Sequence, residues 1–260
     1  CGAGEEGTTR DVSFTGPVTN KTVSFRVYLP PSYECSGLRY PVTYFLHGLG
    51  GGPSTVKPLV ASLEAEMKKG TTGPFIIVAA DGYGDSMWAD SADGTQPAET
   101  DVIRQVIPYV DANYRTVPYA RRRVVQGFSM GGFGAMLYAA KFPDTFSAAV
   151  SFDGALHTWA TLLANRQEIA TKVFGSEAAF DAYSPYAQAS LSVTALKSPS
   201  RYLRVHVGDL VDYNTSFHDH LTGLGVPHDY FPSPCGHNLQ CIVNTPVGAA
   251  TWGVLYGKME

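Results

Sequence analysis

Gly127-Phe128-Ser129-Met130-Gly131, followed by Gly132, places one hydroxyl inside a run of glycines. A serine hydroxyl is inert near neutral pH until a base takes its proton; it can then attack an acyl carbonyl. Glycines around it let a strand turn sharply into a helix without side-chain collisions, which pushes the hydroxyl outward. The helix N-terminus behind it favours developing negative charge. The base must be a histidine elsewhere, and of the seven present His237 stands apart. It follows the last strand-like run, Asp229-Tyr230-Phe231, in the loop Pro234-Cys235-Gly236-His237-Asn238, whereas His157, His206, His218, His220 and His228 have no such setting. An oxyanion forming on the attacked carbonyl requires preorganised N–H donors. The Met130 amide, next to the nucleophile, is one. The loop His47-Gly48-Leu49-Gly50-Gly51 is expected to supply the other from Leu49, with His47 shaping the loop.

These residues need a scaffold that brings loops from distant parts of the chain to one edge. Residues 11–30 alternate, with Val23, Phe25 and Val27 opposite Ser24, Arg26 and Tyr28, which reads as one arm of an antiparallel pair. Val42–Leu46, Pro74–Ala80, Val124-Val125, Ala148–Ser151 and Tyr202–Val207 are apolar runs of the kind buried on both faces of a parallel sheet. Helical spacing separates them at 56–69, about 99–113, and after Gly132. This alternation predicts βαβ units with helices on both faces of a mostly parallel sheet. Residues 1–10 read as a tether and 11–260 as one α/β domain, with a helical insertion at about 155–200.

With strands in that order, the acid that orients His237 is expected between Ser129 and His237, in the order nucleophile, acid, histidine. The end of the Tyr202–Val207 strand offers two, Asp209 and Asp212. Asp209 follows the strand directly and is preferred, while Asp212 also suits a helix start.

Composition excludes several alternatives. The 260 residues are 44% hydrophobic and only 16% charged, with 12% aromatics, which no disordered or coiled-coil chain carries. A net charge of −4 leaves no positive field for nucleic acid. No apolar run approaches the ~18 residues of a spanning helix. No Cys-x-x-Cys pair occurs, and His218 and His220, two apart on a helix, diverge, so neither metal nor cofactor is expected. Four cysteines, Cys1, Cys35, Cys235 and Cys241, allow three pairings and favour an oxidising, secreted or cell-surface setting. Cys1 before a small polar stretch resembles the lipid-bearing end of a bacterial lipoprotein, so an anchor there is an expectation, against an ordinary secreted end.

The strand before His47-Gly48-Leu49-Gly50-Gly51, the stretch Tyr109–Arg115, Gly127–Gly132, the pair Asp90-Ser91, Tyr183-Ser184-Pro185 and the late Gly236-His237 together resemble the esterase D and feruloyl esterase group of α/β hydrolases. That group includes acetyl xylan esterases, S-formylglutathione hydrolases and mycolyltransferases of the antigen 85 type. The resemblance spans about residues 20–240. It implies an α/β-hydrolase fold and carboxylic ester hydrolysis through an acyl-enzyme, on small-molecule or polysaccharide-linked esters with feruloyl, acetyl or other acyl groups. The rival expectations are an acyltransferase with the same triad and a non-catalytic surface binding protein on this scaffold. His47 and Trp88 are expected to touch substrate, with the loop 85–92 and the insertion carrying Trp159 as pocket walls. The group's histidine loop continues with an acidic residue and a tryptophan. This chain reads Asn238-Leu239-Gln240-Cys241 instead, and a Cys235–Cys241 bridge is expected to brace the loop.

Overall fold

The alternation along Thr22–Leu29 buries Val23, Phe25 and Val27. This strand, β2, pairs antiparallel with β1 (Thr8–Thr15), Thr8 opposite Leu29 and Thr15 opposite Thr22. The computed structural model describes residues 6–259. Of the stretch 1–10 expected as a tether, Thr8, Thr9 and Arg10 are strand, and residues 1–5 lie outside the described residues. Cys1 and its expected anchor lie outside the described residues.

Six further strands follow: β3 (Val42–Leu46), β4 (Ile76–Ala80), β5 (Arg123–Phe128), β6 (Ala148–Phe152), β7 (Tyr202–Val207) and β8 (Asp229–Pro232). Their order across one sheet is β1-β2-β4-β3-β5-β6-β7-β8. β2 runs antiparallel to β4, and every pair from β4 to β8 is parallel. All five residues of β3, β4 and β6 are buried, because helices cover both faces of the parallel part.

Alternate side chains of one strand feed two separate cores. Tyr44 and Leu46 join Phe133, Leu137, Val102 and Val106, from the helix Met130–Lys141 and the helical run 98–113. Phe45 points the other way, to Leu59, Leu63, Trp252 and Leu255 of the helices Lys57–Lys69 and Pro246–Met259. Between β6 and β7 the chain forms short helices from Trp159 to Leu196. Three of them are capped by hydroxyls, Thr158, Ser176 and Ser184, and such caps matter most where a helix has few bonds of its own. Parallel strands put their carboxyl ends at one edge, where loops converge and ligands bind in folds of this kind.

Candidate active site

β5 ends at Phe128, and Ser129 takes φ 57° and ψ −117° before the helix Met130–Lys141 begins. A non-glycine residue at positive φ costs about 1–3 kcal/mol and persists only where its surroundings impose it. They do so here. A Cβ on Gly127 would stand 1.9 Å from the Gly131 carbonyl oxygen, and one on Gly131 1.8 Å from that of Leu46. The turn is thus packed backbone to backbone, and Ser129 N–H is tied to the Phe152 carbonyl at 3.0 Å.

The Ser129 hydroxyl lies 3.0 Å from His237 Nε2, and His237 Nδ1 lies 2.6 Å from Asp153 Oδ2. The carboxylate accepts from Nδ1–H, which leaves Nε2 as acceptor for the serine proton. Asp153 is fully buried. Its Oδ1 also accepts from the amides of Gly208 at 2.8 Å and Leu210 at 3.0 Å, and its Oδ2 from that of Asp209 at 3.1 Å. Like Ser129 it has positive φ, 45°. Phe128 stacks on the His237 ring at 4.6 Å. The histidine loop is clamped by a Cys235–Cys241 disulfide, and Asn238 caps the helix Leu239–Asn244 through Cys241 N–H at 3.0 Å.

Asp209 and Asp212, the expected acids, do not reach His237. The loop after β7 turns its amides toward Asp153, so residues 208–210 serve as backbone donors and the Asp209 side chain projects outward, exposed. Asp212 occupies the exposed first turn of the helix Val211–Gly223, where a negative charge complements the helix dipole. The residue missed was Asp153. The available signal was its place directly after Ala148–Phe152, since β6 is the immediate neighbour of the serine strand.

Ser129, Met130 and His237 line a cavity of about 340 Å³ together with Leu49, Met87, Ala155, His157, Asn165, Arg166, Ile169, Leu210 and Tyr213. Among the described residues neither the Leu49 nor the Met130 N–H has an acceptor, which leaves both amides available to an oxyanion. His47 and Trp88, expected at the substrate, are instead fully buried beneath it. His47 Nε2 accepts from Gly82 N–H at 2.9 Å while Nδ1–H donates to the Gly48 carbonyl at 2.9 Å, and burial holds the imidazole below its ordinary pKa. Trp88 Nε1–H donates to the His47 carbonyl at 3.1 Å, so the two rings set the Leu49 loop rather than the pocket wall. From the expected walls it is Met87, Asn165, Arg166 and Ile169 that face the cavity; Trp159 packs on Phe180. Among the described residues no cluster of His, Cys, Asp and Glu is arranged to hold a metal.

Comparison with known proteins agrees with this architecture. A curated relative, "Esterase Rv1288" of Mycobacterium tuberculosis (strain ATCC 25618 / H37Rv), is 31% identical over 239 residues, covering 81% of this chain and 51% of the relative. An "Endo-1,4-beta-xylanase/feruloyl esterase" of Xylanibacter ruminicola is 29% identical over 150 residues, 54% of this chain and 20% of that protein. This chain therefore spans about half the length, or less, of these relatives. The solved structure of a ferulic acid esterase superposes with a TM-score of 0.83 at 20% identity, covering 98% of this chain and 99% of the other; with the eight-stranded sheet, it makes the fold an α/β hydrolase. The family model described as "Putative esterase" matches residues 16–215, and the chain belongs to that esterase family.

Proposed function

We propose that this chain is a serine carboxylic ester hydrolase that works through an acyl-enzyme. The observation that carries the reading is the relay Ser129 Oγ, His237 Nε2 and Nδ1, Asp153 Oδ2, at 3.0 and 2.6 Å, opening on a cavity with two unpaired amides. Ser129 Oγ adds to the ester carbonyl as its proton passes to His237 Nε2. The Leu49 and Met130 N–H groups hold the oxyanion, and buried Asp153 stabilises the imidazolium. Collapse of the tetrahedral adduct breaks the bond to the alcohol oxygen, which takes the proton from Nε2 and leaves. Water then repeats the sequence on the acyl-enzyme and restores the serine hydroxyl.

Desolvation strengthens each of these contacts, because charge developing in a partly closed cavity is screened less than in water. Family membership supports ester chemistry, and the disulfide with the low charge supports an exported enzyme. The test is hydrolysis of p-nitrophenyl acetate and butyrate. Wild type should show a burst of nitrophenol followed by turnover, and Ser129→Ala should fall to the uncatalysed rate. Equal rates from the two proteins would end the proposal.

A further inference from the structure

The cavity around Ser129 has an electrical asymmetry that ester hydrolysis alone does not require. The chain as a whole is acidic, with 23 Asp and Glu against 19 Lys and Arg. Yet no carboxylate is among the residues that line this cavity, and one guanidinium, Arg166, is. Arg166 follows the helix Trp159–Asn165 and is exposed. Among the described residues its guanidinium makes one hydrogen bond, from Nη1 to the neighbouring Asn165 carbonyl at 2.9 Å. Among the described residues no carboxylate lies within ion-pair distance of it. Lys172 of the same insertion, by contrast, is paired with Asp85 at 2.9 Å. Asp209 and Asp212 are turned away from the cavity into an adjoining groove that they line with Thr161, Ser216 and Tyr213.

A second group points the same way. His157 also lines the cavity and is 6% exposed. Its Nδ1 meets Thr161 Oγ1 at 3.2 Å and its ring packs on Tyr213 at 4.4 Å, while Nε2 has no partner among the described residues. Burial, with the charge of Arg166 as a further cause, pushes its pKa down to about 4, so near neutrality it adds a polar nitrogen and no second charge. An unpaired guanidinium beside a neutral, unpartnered imidazole, in a wall that carries the apolar Leu49, Met87, Ile169 and Leu210 with the neutral polar Asn165 and Tyr213, suits a ligand that is largely hydrophobic and carries one negative charge.

Resting on the esterase reading above, we infer that the preferred substrate is an ester bearing a carboxylate, which Arg166 receives while Ser129 attacks the ester carbonyl. Arg166 is then a specificity-determining residue. A neutral ester of the same length fills the cavity but leaves the guanidinium with water alone, so discrimination is by charge rather than by size. A charge-assisted hydrogen bond of this kind corresponds to a preference of about ten- to a hundredfold.

The experiment compares p-nitrophenyl hemisuccinate and hemiglutarate with the neutral butyrate and valerate, in wild type, Arg166→Gln and Arg166→Lys. The expected result is a higher kcat/KM for the hemiesters in wild type, a hemiester-to-neutral ratio that drops about tenfold or more in Arg166→Gln, and partial recovery in Arg166→Lys. The hemiester advantage should also shrink as sodium chloride is raised, because the pair is partly exposed. A ratio near one in wild type, or a ratio unchanged by Arg166→Gln, overturns the inference while turnover of the neutral esters leaves the esterase reading standing. Absence of turnover on all four esters, with Ser129→Ala indistinguishable from wild type, overturns the esterase reading and this inference together.

Discussion

At the scale of single residues the decisive finding is which carboxylate meets His237. Asp153 lies 2.6 Å from Nδ1 and is held by three backbone amides. Such a carboxylate keeps its orientation without relying on a mobile side chain. Asp153→Asn should therefore leave the fold intact, since an amide oxygen can still accept two of those N–H groups. It should reduce kcat on p-nitrophenyl esters by about 10³- to 10⁴-fold by presenting the wrong tautomer of His237. Asp209→Asn and Asp212→Asn should change kcat little; a large loss in either would return the acid to the β7 loop. The pairing of Ser129 with His237 was legible in the sequence because each sits in a short signature, a glycine-framed turn and a late Gly-His loop. The carboxylate that meets His237 was not, since an Asp-Gly after a strand is common and its selection depends on how the 208–210 backbone curls in three dimensions. His47 and Trp88 failed for a related reason. A ring near a Gly-rich loop in sequence can pack on either side of that loop, and here both lie beneath it.

At the scale of elements, two devices fix the geometry. One is the turn between β5 and the helix Met130–Lys141, whose glycines permit contacts that any side chain would break. Gly131→Ala would drive a Cβ to 1.8 Å from the Leu46 carbonyl oxygen. Backbone cannot yield there without displacing β3, so urea denaturation should register a loss of roughly 3 kcal/mol or failure to fold. The other device is the Cys235–Cys241 bridge around His237, with the cysteines six apart in sequence. So short a loop constrains the unfolded chain only modestly, by roughly 2 kcal/mol on the chain-entropy account. Its larger effect should be local. The double variant Cys235→Ser/Cys241→Ser should remain folded at 25 °C and lose kcat more than it loses stability. If activity tracks the folded fraction alone, the bridge has no role in positioning the histidine. Strands β2 to β8 and the helices at 57–69, 98–113 and 130–141 were readable from apolar periodicity, whereas β1 (Thr8–Thr15) was not separated from β2 and the helix Pro246–Met259 was not read. The insertion's division into short capped helices was not, because each segment is shorter than the window over which periodicity becomes visible.

At the scale of the whole molecule, the same burial that shapes the site sets a pH dependence of stability. His206, stacked on Phe152 and bonded through Nε2 to Thr251 Oγ1 at 3.1 Å, is pushed by burial down to about 3, and His157 to about 4, from an ordinary value of 6.5. Both are below their unfolded values. As pH falls from 6.5, the unfolded chain takes up these protons and the folded protein does not. The stability they contribute is complete above pH 6.5 and is lost as pH drops toward 4 for His157 and toward 3 for His206. Buried His47 and half-buried His228 shift in the same direction, while Glu99, raised by burial to about 7, acts oppositely and offsets one of them. Each unbalanced histidine contributes a slope of up to about 1.4 kcal/mol per pH unit. Urea midpoints measured from pH 7 to 5 should therefore decline steadily. His206→Gln, which retains a polar contact for Thr251 and removes one titrating group, should be less stable at pH 7 but lose stability less steeply on acidification. Parallel curves for the two proteins would show that His206 takes up its proton equally well folded and unfolded.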